Sequence, residues 1–166
     1  MDIKRTPGKY NREGYLRFDI GEIPDLVGAQ LQLYATSNYC SPYQEETLGI
    51  YTVEGDWQED TLCFHNRPAF GEQIAEMKIP TNGTNSIVQQ YLSADVTEAV
   101  SGGVIDFGIK MLGRNNANAV FAAREEGTHF PILLVEYVPS HRDIELRSDR
   151  ETEAMVVCCP KGEDGR

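Results

Sequence analysis

The chain has 166 residues and a mass of 18.6 kDa, one ordinary domain's worth of polypeptide, which leaves no room for a multidomain enzyme. Fifteen Lys and Arg stand against 26 Asp and Glu, a formal net charge of −11, and this surplus of acid argues against nucleic-acid phosphates or an anionic membrane surface as the main partner. Hydrophobic residues at 40% and charged residues at 25% are globular proportions that exclude wholesale disorder, and no apolar run approaches the roughly 20 residues that cross a bilayer.

From the front of the chain, apolar and polar residues alternate at period two, the signature of strands with one face on a core. In Tyr15-Leu-Arg-Phe-Asp-Ile, Leu16, Phe18 and Ile20 share one face, and Tyr15, Arg17 and Asp19 share the other. In Ala29-Gln-Leu-Gln-Leu-Tyr-Ala-Thr, Ala29, Leu31, Leu33 and Ala35 point inward while Gln30, Gln32, Tyr34 and Thr36 point outward. Further strands are expected at 48–53, 62–65, 86–92, 104–111, 119–123 and 132–138, with one short helix over 94–100. Turn signals separate them at Ser41-Pro, Asn66-Arg-Pro, Pro80-Thr-Asn-Gly, Ser101-Gly-Gly and Gly113-Arg-Asn-Asn. Eight short strands with such punctuation predict an all-β antiparallel sandwich of the jelly-roll kind over residues 1–138. The remainder, 139–166, reads as a charged tail, disordered or partly helical over 143–155. It holds five Lys or Arg and seven Asp or Glu, so −9 of the −11 belongs to the body.

Nucleophilic catalysis would call for a strained Gly-x-Ser-x-Gly elbow or its equivalent, and the sequence has none. His65, His129 and His141 are the histidines, and their spacing is not that of a transition-metal site. His65 reads as a surface or half-buried strand residue. Glu45-Glu46 and Glu125-Glu126 are unremarkable pairs in so acidic a chain. No catalytic residue and no cofactor are therefore assigned, although Asp56, Glu59, Asp60 and Asp95 supply the oxygens a structural calcium ion prefers. Cys40 and Cys63 read as free thiols in the core or in strands, with a disulfide between them as the alternative in an oxidising compartment.

Sugars bind by laying apolar C–H faces on aromatic rings while their hydroxyls bond to amides, guanidinium groups and carboxylates. Tyr15, Arg17, Gln30, Gln32 and Tyr34 would form such a surface if their two strands paired; an ordinary solvated face is the plainer alternative. Trp57, the single tryptophan, serves either as a plug at the end of the sandwich or as a binding platform. An Arg17 or Arg124 held between the sheets would require carboxylate partners. An acidic glycan would demand that the scarce cations gather on one face, with Arg12, Arg17, Arg67, Lys110, Arg114 and Arg124 as candidates.

The ordered motifs Arg12-Glu-Gly-Tyr-Leu-Arg-Phe-Asp-Ile, Ala29-Gln-Leu-Gln-Leu-Tyr, Trp57-Gln-Glu-Asp-Thr-Leu-Cys-Phe-His-Asn-Arg-Pro, Asp95-Val-Thr, Val104-Ile-Asp-Phe-Gly-Ile, Phe121-Ala-Ala-Arg-Glu and Pro131-Ile-Leu-Leu-Val together resemble the DNRLRE domain. That group includes carbohydrate-binding module family ninety-six, and the resemblance spans about residues 3–138. It implies a noncatalytic, monomeric β-sandwich attached to secreted or cell-surface glycan-active proteins, with an extracellular location and a polysaccharide partner, which in the family's founding cases is acidic and of the alginate type. The carbohydrate-binding set is then Tyr15, Arg17, Gln30, Gln32, Tyr34, Trp57, Arg67, Arg114 and Arg124, and a structural or adhesive module of a cell surface or virion is the alternative. Three features depart from the family: a first strand and Gly-rich loop are expected ahead of Met1, the tail matches nothing, and Leu62-Cys-Phe-His-Asn stands where Leu-Thr-Trp-Asn-Asn is usual. Phe64 is therefore expected to take the place of the second aromatic, packing inward.

Overall fold

The structure is a computed structural model that describes residues 1–6, 11–38, 45–80, 86–113, 117–123, 128–138 and the backbone of 155–157. The described residues form ten strands: β1 Asp2–Arg5, β2 Gly14–Asp19, β3 Leu26–Asn38, β4 Glu46–Glu54, β5 Ala69–Ile79, β6 Ser86–Asp95, β7 Val104–Met111, β8 Ala117–Phe121, β9 Ile132–Tyr137 and β10 Met155–Val157. All pair antiparallel in two sheets. The front sheet runs β2-β7-β4-β5, and the back sheet contains β1-β8-β3 with β6 on the far side of β3. Splitting eight successive strands as 1-8-3-6 and 2-7-4-5 is jelly-roll topology. The long β3 also pairs with β9, and β10 adds to the outer edge of β9.

The period-two alternation becomes the core directly. Leu31, Leu33, Ala35, Leu133 and Phe121 from the back sheet meet Phe18, Leu48, Ile50, Phe107 and Ile109 from the front sheet, all buried. Phe18 and Phe107 meet edge to face at 6.1 Å. Burying each large apolar side chain contributes roughly 1.5–3 kcal/mol. The β2–β7 pair ends where the sequence places Ser101-Gly-Gly, just ahead of β7: Gly102 and Gly103 both take positive φ, a conformation open to glycine, and Ile20 N–H donates to the Gly103 carbonyl.

Several expected elements are corrected. Residues 62–65 form a turn, because the Asn66 side chain accepts from Cys63 N–H and donates to the Thr61 carbonyl, bending the backbone away from any ladder. The strand lies instead at Ala69–Ile79, an edge whose first half contributes no buried residue and whose core contribution comes from Met77 and Ile79. β1 was not expected, since Ile3 is the single apolar residue in Asp2-Ile-Lys-Arg, yet Ile3 is wholly buried. The expected helix over 94–100 shrinks to one 3-10 turn at Thr97–Ala99, because β6 continues to Asp95. Asp95 accepts from both the amide and the hydroxyl of Thr97, and the hydroxyl, chiefly, holds its carboxyl below the ordinary value. The helix expected over 143–155 lies outside the described residues except at Met155, which opens β10.

Candidate functional site

The outward side chains of the front sheet form a continuous aromatic strip. Tyr15, Gly108, Tyr51 and Gln73 stand in one cross-strand row. Because Gly108 has no side chain, the Phe70 ring settles over it, so close that a Cβ there would lie 2.4 Å from a ring carbon. Phe70 stacks on Tyr51 at 5.3 Å and tilts against Tyr15 at 5.2 Å, and Tyr15 in turn meets Trp57 at 5.8 Å. Tyr15 donates to the Pro68 carbonyl and Tyr51 to Gln73 Oε1. Burial, with help from Glu13, pushes the Tyr15 phenol up to about 12.

Cations cover this strip. Arg17 lies 4.7 Å above the Trp57 ring, with Nε and Nη2 forked onto Asp106 at 2.8 Å and Nη1 on the Trp57 carbonyl at 2.9 Å. The bond to Asp106 holds the guanidinium above its ordinary value. Arg17 thus lies on the outer face, and its carboxylate partner is the one a half-buried guanidinium requires. Lys110 Nζ sits 4.1 Å from the Tyr51 ring and 5.5 Å from Phe70, and makes no ion pair with the described residues. Arg67 pairs with Glu13 at 3.0 Å and lies 3.9 Å above the Phe64 ring.

Trp57 is 9% exposed yet stands outside the main core cluster. It fills the outer face of the front sheet rather than the end of the core, and its indole N–H is buried with no acceptor among the described residues. Phe64 is 64% exposed, contrary to its expected inward packing: the Asn66-closed turn leaves it no core to enter. His65 and the free thiol Cys63 are likewise exposed in this loop and not in a strand.

Tyr15 and Arg17 do not meet Gln30, Gln32 and Tyr34. β2 and β3 belong to opposite sheets, so the two outward sets face opposite ways. On the back sheet, Gln30 opposes Asp95, Gln32 opposes Ser93 and Tyr34 opposes Tyr91. His129 stacks flat on Tyr34 at 4.0 Å, and the two tyrosines meet edge to face at 5.1 Å. Arg114 and Arg124, together with Cys40 and Glu125-Glu126, lie outside the described residues. Arg12 is ion-paired with Asp2 and makes no cation–π contact among the described residues. Among the described residues no three His, Cys, Asp or Glu side chains converge as a metal site.

Phe70, Tyr51, Tyr91, His129 and Phe130 are the members of these faces that sequence reasoning missed. Tyr91 was within reach, since the expected strand 86–92 turns it opposite to Leu92; Phe70 was hidden in an unrecognised edge strand.

A jelly roll bearing aromatic rings among cations and amides on its outer faces has the form of a sugar-binding module, and comparison with known families agrees. The chain belongs to carbohydrate-binding module family 96, whose family model matches residues 1–137. No curated protein matches the chain.

Proposed function

We propose that the protein is a noncatalytic polysaccharide-binding module, an accessory domain of a secreted or cell-surface glycan-active protein, and that its sugar chain crosses the outer face of the front sheet from Phe64 to Lys110. The observation that carries this is the concentration of cations: in a body of net −9, Arg17, Arg67 and Lys110 share one face with Trp57, Tyr15, Phe70 and Tyr51.

The groups divide the work by their other contacts. Arg17 is committed to Asp106 and to the Trp57 carbonyl, so it fixes the platform. Lys110, outside any ion pair with the described residues, is the cation placed to meet a sugar carboxylate, and Arg67 supports the exposed Phe64 ring. An acidic polysaccharide is the ligand this arrangement favours, because a carboxylate near Lys110 gains a charge-assisted hydrogen bond.

Calorimetry against alginate, pectin and neutral glucans, with Trp57 emission followed in parallel, tests the assignment. Binding of an acidic glycan with a change in emission, weakened about tenfold by Lys110→Met, is expected. Folded protein that binds no member of the panel removes the proposal. The noncatalytic part fails if the chain releases unsaturated product from any of these polymers, seen as rising ultraviolet absorbance.

A further inference from the structure

The back sheet carries a second set of groups that the front-sheet site does not use. β3, β6 and β9 contain no Lys or Arg at all. Their outward residues form a row: Gln30 beside Asp95, Gln32 beside Ser93, and Tyr34 beside Tyr91. At the strand rise of about 3.3 Å per residue this row is about 13 Å long. It ends in a cluster where His129 lies parallel to Tyr34, the interplanar angle being 10°, and Tyr91 donates to the Phe130 carbonyl at 3.3 Å. Tyr91 is 38% and Phe130 37% exposed.

Two backbone features present this cluster. His129 has φ 59°, a left-handed conformation uncommon outside glycine, and Gln89, two residues before Tyr91, has φ 47°. Single non-glycine residues in that region are costly and persist where surrounding contacts hold them, often at binding sites. Here the held object is an imidazole laid flat on a tyrosine at the surface.

From the cation-free strands and this aromatic end we infer that the outer face of the back sheet is a second, independent carbohydrate site, whose ligand is a neutral polysaccharide segment. Rings supply stacking for apolar C–H faces, and the amide and hydroxyl row supplies both donors and acceptors for sugar hydroxyls. The charges on these three strands at the far end of the row, Asp95 and Glu136, are negative, so a polyuronate is repelled where a neutral chain is not. The two outer faces of a sandwich point in opposite directions, and both sites can be filled at once.

Each site has its own reporter. Trp57, the one tryptophan, stands on the front sheet, and the His129 imidazole stands on the back sheet. Titrating the full chain with neutral hexa-saccharides (glucan, mannan and xylan fragments), with His129 proton resonances assigned by His129→Gln, should shift those resonances and leave Trp57 emission unchanged. Tyr91→Ala should weaken the interaction about tenfold, and Gln32→Ala, which leaves every aromatic contact in place, should weaken it as well. Saturating the front face with an acidic glycan should leave the neutral affinity unaltered. The inference is overturned if no neutral fragment moves the His129 resonances, if acidic fragments move them instead, or if binding survives both substitutions in folded protein. Failure of the front-sheet assignment would appear in Trp57 emission alone.

Discussion

Replacing Gly108 by alanine asks whether the bare backbone at that position is what seats Phe70. Gly108 is not among the residues with positive φ, so alanine fits the backbone, but its Cβ would lie 2.4, 2.5 and 3.0 Å from three Phe70 ring carbons. The ring must lift, giving up its contacts with Tyr15 at 5.2 Å and Tyr51 at 5.3 Å. Aromatic pairs are worth about 0.5–1.5 kcal/mol each, so the loss is about 1–3 kcal/mol. Alanine returns about 0.5–1 kcal/mol because a strand glycine loses more backbone freedom on folding. The net destabilisation spans about 0–2.5 kcal/mol with a midpoint of about 1.2 kcal/mol, which at that midpoint lowers Tm by about 2–5 °C in a protein of this length. Urea and thermal melts of native protein, Gly108→Ala, Phe70→Ala and the double variant measure it as a cycle. In the Phe70→Ala background the same glycine change should be neutral or stabilising. Equal or greater stability of Gly108→Ala with Phe70 present, together with unchanged glycan binding, would refute the account.

Asp106→Ala strips Arg17 of its forked partner. With the Arg17 side chain 27% exposed, the cost falls between that of surface and buried pairs, about 1–3 kcal/mol, and near-ultraviolet circular dichroism should report a loosened Trp57; an unchanged tryptophan band would show that the fork does not hold the platform. Tyr15, whose phenol moves from 10.0 to about 12, should ionise above the ordinary tyrosine range. Its folded value is raised, so the stability it contributes is complete below pH 10 and is lost as pH climbs through about 12. Tyrosinate absorbance against pH should show a late step that Tyr15→Phe abolishes.

The legibility of each element followed the way its side chains are used. β2, β3 and β7 alternate cleanly because one face meets the core and the other does not, so period two in the sequence is the fold's own imprint. β1 and β5 are edges, where charge and amides replace apolar residues and erase that imprint. Leu62-Cys-Phe-His looks like a strand by composition, and it became a turn because one side chain, Asn66, satisfies the backbone locally.

The sequence by itself determined the class: alternation, turn residues and the order of motifs specify an antiparallel sandwich of a carbohydrate-binding family, since these are local properties of the chain. Tertiary structure alone decided which outward residues are neighbours. Tyr15 with Arg17 and Gln30 with Gln32 and Tyr34 look alike in sequence, yet the jelly-roll path sends β2 and β3 into different sheets. Non-local pairing also brought Phe70 over Gly108 and His129 onto Tyr34. No periodicity encodes such contacts, because they depend on how distant strands close on one another.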